Sequence, residues 1–171
     1  MHYGLDQPIG RDHRPLTTTT WTGKKERVML TADIASMIDE WAIAWSSSAN
    51  NDPERLLALF ASDGMYEDVT SGVVVRGEED LRRYLIGAFA TIPDFTFDVL
   101  RRFGDGSWAA IEWTMSGTHR AEWAGMPATG RPFSSVRGTS ILEVEAGKIR
   151  RQSDYWDKAT VMKQVGLLPT R

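Results

Sequence analysis

The sequence contains no cysteine and only three histidines, and these shortages narrow the chemistry open to the protein. Without cysteine there can be no disulfide, no zinc–thiolate site and no thiol nucleophile. The histidines are His2, His13 and His119, and they form neither an HExxH motif nor a paired-histidine spacing. A glycine-rich phosphate loop is missing as well. We therefore expect a protein that has no metal site and needs no cofactor.

The sequence also lacks a long apolar run and a strong excess of either charge. Its formal net charge is −3, whereas binding to nucleic acid or to an anionic membrane needs a basic surface. No apolar stretch approaches the length of a membrane span, and residues 1–14 are too polar for a signal peptide. These absences predict a cytoplasmic protein that binds neither nucleic acid nor membranes.

The chain length and composition favour one globular domain. The 171 residues, of which 42% are hydrophobic, are enough for a single domain with a real core. Residues 1–30 show no periodic pattern and include four consecutive threonines, so we interpret them as an extension that is poorly ordered or packs on a partner through Trp21. Residues 31–171 are expected to form the domain.

Helical patterns occupy the first part of this domain. One apolar face runs through Ile34, Met37, Ile38, Trp41 and Trp45. Asp52 and Pro53 are typical of an N-cap and a first helical position, and they predict a second helix whose apolar face holds Leu56, Leu57, Leu59 and Phe60. We expect a turn at Ser62-Asp63-Gly64, short strands at 65–69 and 73–75, and a third helix that ends at Ile92-Pro93.

Long strands fill the rest of the chain. They are predicted at residues 95–103, 107–120, 132–145 and 149–156, with a short helix at 158–165. Leu142 and Val144 alternate with acidic residues, and Gly147 supplies the positive φ of a tight hairpin turn. Helices followed by antiparallel strands predict an α+β fold. A sheet of this length must curve, and helices on its concave face leave a pocket for a small molecule.

Several segments resemble the NTF2-like superfamily, and most closely its SnoaL-like polyketide cyclases. They are LLALFASDGMYEDV from Leu56, SGTHRAEWAGMPATGR from Ser116 and EAGKIRRQSDYWD from Glu145, together with the lead into the third helix from Arg76. The resemblance extends from Thr31 to about Pro169. It implies a cystatin-like cone in which helices pack on a strongly curved antiparallel or mixed sheet. It also implies an enzyme of secondary metabolism.

The resemblance implies catalytic residues as well. In the pattern of ketosteroid isomerase the general base falls on Asp68, while the two oxyanion donors fall on Trp41 and near Ser140, which depart from that family. The pattern of limonene epoxide hydrolase puts its water-holding groups on Tyr66, Asp68 and Asp154. Its proton relay would lie around Glu112 and Thr114, and it is broken in this sequence. SnoaL-type cyclases place an acid/base aspartate at the position of Asp154.

Each of these residues also has a plain structural interpretation. An aspartate between aromatic residues, such as Asp154, either lies at a wet strand end or points into a pocket. Glu112 could face outward in a salt bridge, and His119 is more typical of a rim or an interface than of a catalyst. The expected pocket is lined by Trp41, Trp45, Phe89, Glu112, Trp113, His119, Trp123, Ser140 and Trp156.

Three functions remain open. The first is a cofactor-independent cyclase or isomerase in which Asp154, Asp68 and Tyr66 carry out acid–base chemistry on a hydrophobic polyketide- or terpenoid-like molecule. The second is an epoxide hydrolase that uses the same residues, and the third is a non-catalytic binding protein. Bulky residues on both faces of the sheet predict a homodimer that packs sheet on sheet.

Overall fold

The computed structural model describes residues 32–169, so the predicted extension at residues 1–30 lies outside the described residues. The elements are α1 (Ala32–Trp45), a short 3₁₀ turn (Ser47–Ala49), α2 (Pro53–Leu57), β1 (Phe60–Asp68), β2 (Val73–Arg76), α3 (Glu78–Thr91), β3 (Thr96–Asp105), β4 (Trp108–Thr118), β5 (Pro132–Glu145), β6 (Lys148–Trp156) and α4 (Lys158–Gln164). In this part of the chain no helix is both long and apolar enough to span a membrane.

The strands form one curved six-stranded sheet in the order β2-β1-β6-β5-β4-β3. The pairing of β1 with β6 is parallel, and the other four pairings are antiparallel. The register shifts within the β3–β4, β4–β5 and β5–β6 pairs. Such irregularities bend a strand and increase its twist, which helps the long strands to curve. The α+β fold with a curved mixed sheet is therefore confirmed.

The helices cover one face of the sheet and create the core between them. The predicted face of α1 is buried throughout, and Ile38 and Trp41 are fully excluded from solvent. Helix α3 contributes Leu81, Leu85 and Phe89 to the same core. Along β4 buried and partly exposed residues alternate, as expected for a sheet that has one face packed and one face open.

Two local predictions near β1 are wrong. Ser62-Asp63-Gly64 is part of β1, where the register with β6 shifts between Phe60 and Met65. Gly64 suits this irregular backbone because a Cβ there would lie 2.8 Å from the Ala61 carbonyl oxygen. Helix α2 is also shorter than predicted, since it ends at Leu57 and Phe60 starts the strand. Its predicted N-cap is confirmed, because Asp52 accepts a hydrogen bond from the Glu54 N–H at 3.0 Å.

Candidate active site

The parallel pairing of β1 with β6 brings the predicted catalytic residues together. Asp68 and Asp154 are register partners, and alternation along β1 turns Tyr66 to the same side as Asp68. All three side chains are buried. The Tyr66 hydroxyl donates a hydrogen bond to Asp154 Oδ2 at 3.0 Å.

Four donor contacts converge on the Asp154 carboxylate. Besides Tyr66, the Ser140 hydroxyl donates to Oδ1 at 2.6 Å. The Gln152 amide nitrogen lies 2.9 Å from Oδ1 and 3.0 Å from Oδ2. Hydrogen bonds to a carboxylate stabilise its charged form, so these donors oppose the cost of burying the charge.

The balance of burial and hydrogen bonding sets the proton affinity of Asp154. Burial raises the pKa of this carboxyl, the hydrogen bonds from Ser140, Gln152 and Tyr66 lower it, and the charge of Asp68 raises it again, which leaves the pKa at about 6. Burial also raises the pKa of the Tyr66 phenol well above its ordinary value. Tyr66 therefore stays a donor at neutral pH, while Asp154 can take up a proton and return it.

Asp68 is held in a different way. Its Oδ1 accepts from the Ser71 N–H at 3.0 Å and from the Trp156 indole N–H at 2.9 Å, and its Oδ2 accepts from the Ser71 hydroxyl at 2.6 Å. These contacts tie the turn after β1 to the end of β6. Asp68 thus supports the wall of the site, and both of its oxygens are engaged.

A small, mainly aromatic cavity lies beside the two carboxylates. Its volume is about 30 Å³, close to that of one water molecule. It is lined by Trp45, Tyr66, Asp68, Tyr84, Ala88, Phe95, Phe97, Trp113, Met115, Trp123, Asp154 and Trp156. Ligand pockets usually measure about 300–1,000 Å³, so a drug-sized ligand fits only if part of this wall moves.

Trp123 is the part of the wall that comes from the β4–β5 loop. Its indole stacks on Trp156 with a centroid distance of 4.5 Å and an interplanar angle of 9°. The loop connects β4 to β5 and is closed by a bridge between Trp123 and Met126. Ala124 and Gly125 form the tip with φ values of 54° and 75°. Trp123 therefore covers the cavity from a segment outside the sheet.

The expected pocket residues fall into two groups on the inner side of the sheet. Trp45, Trp113, Trp123 and Trp156 line the cavity. The other three inner residues lie behind it: Trp41 donates to Gln152, Ser140 to Asp154, and Phe89 packs on Trp45 with ring centroids 6.0 Å apart.

Glu112 does not face the inner cavity, although it was among the expected pocket residues; it adopts the outward position that the sequence left open. Alternation along β4 turns Trp113 inward and Glu112 outward, where Glu112 pairs with Arg137 and lies 3.7 Å from Arg101. It lines a groove of about 450 Å³ on the outer face, together with Thr139 and Tyr155. This groove is larger than the inner cavity, but the buried carboxylate network is absent from its lining. The inner cavity is therefore the candidate active site.

His119 is also absent from the cavity lining, although the sequence placed it there. It follows the end of β4 and is completely buried beneath the β4–β5 loop. Its backbone pairs with Gly130 and Arg131, and its ring lies 6.4 Å from that of Trp123. Burial lowers the pKa of the imidazole. These contacts make His119 part of the base of the loop.

Gln152 is the main site residue that the sequence analysis missed. It precedes Asp154 by two positions on β6, so strand alternation places both on the inner face. This spacing was the signal available in the sequence, and the structure adds that the amide is fully buried, so that its oxygen and its nitrogen both need partners. Tyr84, Phe95, Phe97 and Met115 were also missed as lining residues. Among residues 32–169 there is no cluster of three or more potential metal ligands.

Solved structures share this architecture. IdmH from Streptomyces antibioticus, a proposed polyketide cyclase, is 27% identical, with 77% of this chain and 97% of IdmH covered and a TM-score of 0.62. A Catenulispora acidiphila protein with a ketosteroid isomerase-like fold, solved with trimethylamine, is 26% identical over 78% and 93% of the two chains, with a TM-score of 0.66. AclR from Streptomyces galilaeus, a proposed hydroxylase, is 20% identical over 80% and 86%, with a TM-score of 0.65, and shares the fold.

The sequence places the chain within one branch of this fold. No functionally curated protein matches it. The family profile described as SnoaL-like polyketide cyclase matches residues 36–165, which include α3, the whole sheet and the site around Asp154. The chain therefore belongs to the SnoaL-like polyketide cyclase family.

Proposed function

We propose that the protein is a cofactor-independent enzyme that catalyses cyclisation or isomerisation of a hydrophobic, polyketide-like small molecule, with Asp154 as its general base. The observation that carries this proposal is the buried Asp154 carboxylate, which receives four donor contacts beside an aromatic cavity. A base with a pKa near the working pH is effective because it can both accept and release a proton.

The proposed reaction needs one proton to be taken and one to be returned. Asp154 removes a proton from a carbon next to a carbonyl group, and the resulting enolate attacks a second carbonyl of the same substrate. A C–C bond forms, and the new alkoxide recovers the proton from Asp154, so the product is an isomer of the substrate. In a double-bond shift the proton returns to a different carbon instead. Tyr66 keeps the carboxylate oriented through its hydrogen bond.

Substrate binding must enlarge the cavity. A volume of about 30 Å³ cannot hold a ring system, so we expect Trp123 to leave Trp156 when the substrate binds. The remaining wall is rich in Trp, Phe and Tyr, which favours planar, apolar substrates.

Replacement of Asp154 by asparagine tests the proposal, because it keeps the shape of the side chain and removes proton transfer. With ethyl benzoylacetate as probe, enzyme-dependent exchange of its α-hydrogens with D2O should fall by ~10²–10⁴-fold in Asp154→Asn. The affinity for the probe should change by only a few fold. Asp98→Asn, the same change at an exposed strand position, is the control. Enzyme-dependent exchange at the native rate in Asp154→Asn would remove Asp154 from the mechanism, whereas a native protein that does not accelerate exchange would favour a binding protein.

Epoxide hydrolysis is a second candidate. The observation that favours it is the cavity itself, which has the volume of one water molecule and is bounded by both Asp154 and Asp68. A water molecule there could be activated by Asp154 for attack on an epoxide carbon. Incubation with styrene oxide in H2¹⁸O separates the two functions, since only hydrolysis gives a diol that carries the label.

A further inference from the structure

Each donor that contacts Asp154 is itself hydrogen-bonded by a second donor behind it. The Trp41 indole N–H donates to Gln152 Oε1 at 3.0 Å, and the Trp113 indole N–H donates to Ser140 Oγ at 2.9 Å. The Tyr84 hydroxyl lies 3.4 Å from that of Tyr66, which is a longer and weaker contact. The two indole contacts are the short ones, and they come from two different elements, Trp41 from α1 and Trp113 from β4.

The indole of Trp41 determines which end of the Gln152 amide faces Asp154. An indole N–H can only donate, so the atom that it meets at Gln152 must be the carbonyl oxygen. The amide nitrogen then points at Asp154, as the 2.9 and 3.0 Å contacts show. With the opposite orientation the amide oxygen would face the carboxylate and repel it. Trp41 and Gln152 are both fully buried, so bulk water does not compete for the hydrogen bonds that orient the Gln152 amide.

The indole of Trp113 has the same effect on the Ser140 hydroxyl. Because the indole N–H occupies an acceptor position on Oγ, the single hydroxyl proton is left for Asp154 Oδ1, at 2.6 Å. The backbone leaves space for this arrangement. Gly138 is the register partner of Trp113, and a Cβ at Gly138 would lie 2.1 Å from the indole ring.

We propose that Trp41 and Trp113 are positioning residues whose indole N–H groups orient Gln152 and Ser140 as donors, and so hold Asp154 in the state of a proton acceptor. The inference rests on the proposed role of Asp154 as a base, and it deepens that role. The other titratable groups near Asp154 are Tyr66 and Asp68 from β1 and Tyr84 from α3. They are present in every variant described below.

Titration of Asp154 tests the inference without any substrate. The protonated carboxyl gives an infrared C=O band, which is assigned by its loss in Asp154→Asn. In Trp41→Phe and in Trp113→Phe, the midpoint should rise by about one pH unit, because an oriented donor to a charged group is lost. Trp45→Phe is the matched control, since Trp45 is buried in the same aromatic cluster but its Nε1 has no hydrogen-bond partner among the residues that the structure describes. Midpoints in the two variants that equal that of Trp45→Phe would overturn the inference.

A double-mutant cycle shows whether Trp41 acts through Gln152. Gln152→Met removes both polar ends of the side chain and should raise the midpoint by itself. Trp41→Phe in the Gln152→Met background should then add no further shift. A full additional shift would mean that Trp41 affects Asp154 by another route and would overturn its role as a positioning residue.

The native protein offers a measurement that does not depend on the folding of any variant at Trp41 or Trp113. In ¹H–¹⁵N spectra, the indole resonances of these two residues should move with the midpoint of the Asp154 titration, and that of Trp45 should not. Indole signals of Trp41 and Trp113 that stay still while Asp154 titrates would refute the inference. A raised midpoint with an unchanged pH profile of kcat/KM would leave the donor assignment standing and overturn the proposed function.

Discussion

If Asp154 is the general base that we propose, it links the pH dependence of stability to that of activity. Its pKa in the folded protein is raised from 3.8 to about 6. For a raised pKa, the contribution to stability is fully present below the unfolded value and is lost as the pH rises through the folded value. Between pH 4 and 7, ionisation of the buried carboxyl should therefore lower the free energy of unfolding.

The size of this loss can be measured by urea unfolding at a series of pH values. The shift corresponds to a loss on the order of 3 kcal/mol in the free energy of unfolding between about pH 4 and 7. Asp154→Asn cannot ionise, so the difference between the native protein and this variant should change by that amount over the same range. Parallel stability curves for the two proteins would contradict the raised pKa.

Asp68→Asn should cost much less activity than Asp154→Asn. Asp68 holds the turn after β1 and the Trp156 indole, and an asparagine oxygen can still accept one of these hydrogen bonds. We expect a loss of less than about tenfold in the exchange assay, compared with the ~10²–10⁴-fold expected when a working base is removed. A loss as large as that of Asp154→Asn would show that Asp68 carries a proton, as the family resemblance implies.

At the scale of elements, the sequence predicted the structure best where apolar and polar residues follow a regular period. The apolar face of α1 and the bounds of β5 follow directly from periodicity, and so does the pairing of Tyr66 with Asp68 on one face of β1. Ser62-Asp63-Gly64 misled because its residue types are those of a turn. A register shift within a strand tolerates the same residues, and only the pairing with β6 separates the two cases.

The site was predictable only in part, for a related reason. Asp154 could be recognised from its aromatic neighbours and from the family resemblance, but its donors come from β1, β5 and β6. The partners of Ser140 and Gln152 depend on which strands are adjacent, and the sequence does not state that order. The direction of Glu112 was open because both of its strand neighbours, Ile111 and Trp113, are apolar. Such neighbours fit the inner face of the sheet and also an outer face that a partner covers, so they do not show which way Glu112 points.

The β4–β5 loop should control how fast ligands reach the cavity. Trp123→Ala removes the indole that stacks on Trp156, so the cavity should open without a rearrangement of the sheet. We expect a faster association of the apolar dye Nile red in stopped-flow fluorescence. Trp108→Ala, which removes an exposed indole from the outer face, is the control. An association rate that equals the native one would show that ligands enter by another route.

At the scale of the whole molecule, the outer face of the sheet is the surface on which we expect a second copy to pack. Leu100, Phe103, Trp108 and Tyr155 are exposed large hydrophobic residues on β3, β4 and β6. Glu112 lies among them with Arg101 and Arg137, so both signs of charge are available for pairing across a two-fold axis. This arrangement favours a dimer that packs sheet on sheet.

A charge placed in that surface should dissociate the dimer. Phe103→Glu should give a monomer at micromolar concentration in sedimentation velocity, because it buries an unpaired charge in the interface. Ile86→Glu makes the same kind of change at an exposed apolar position on α3 and should leave the dimer intact. A native protein that sediments as a monomer would refute the dimer itself.

The parallel pairing of β1 with β6 also has a consequence for the order of folding. The contact between Tyr66 and Asp154 joins residues 88 positions apart, with most of the sheet between them. Hairpins such as β3–β4 and β5–β6 close short loops and can form early, whereas this contact needs a long loop to close. The hydrogen-bond network around Asp154 can therefore be complete only after the β3–β6 meander has docked on β1. During refolding, the proposed α-hydrogen exchange activity should return with the slowest phase, later than most of the secondary structure.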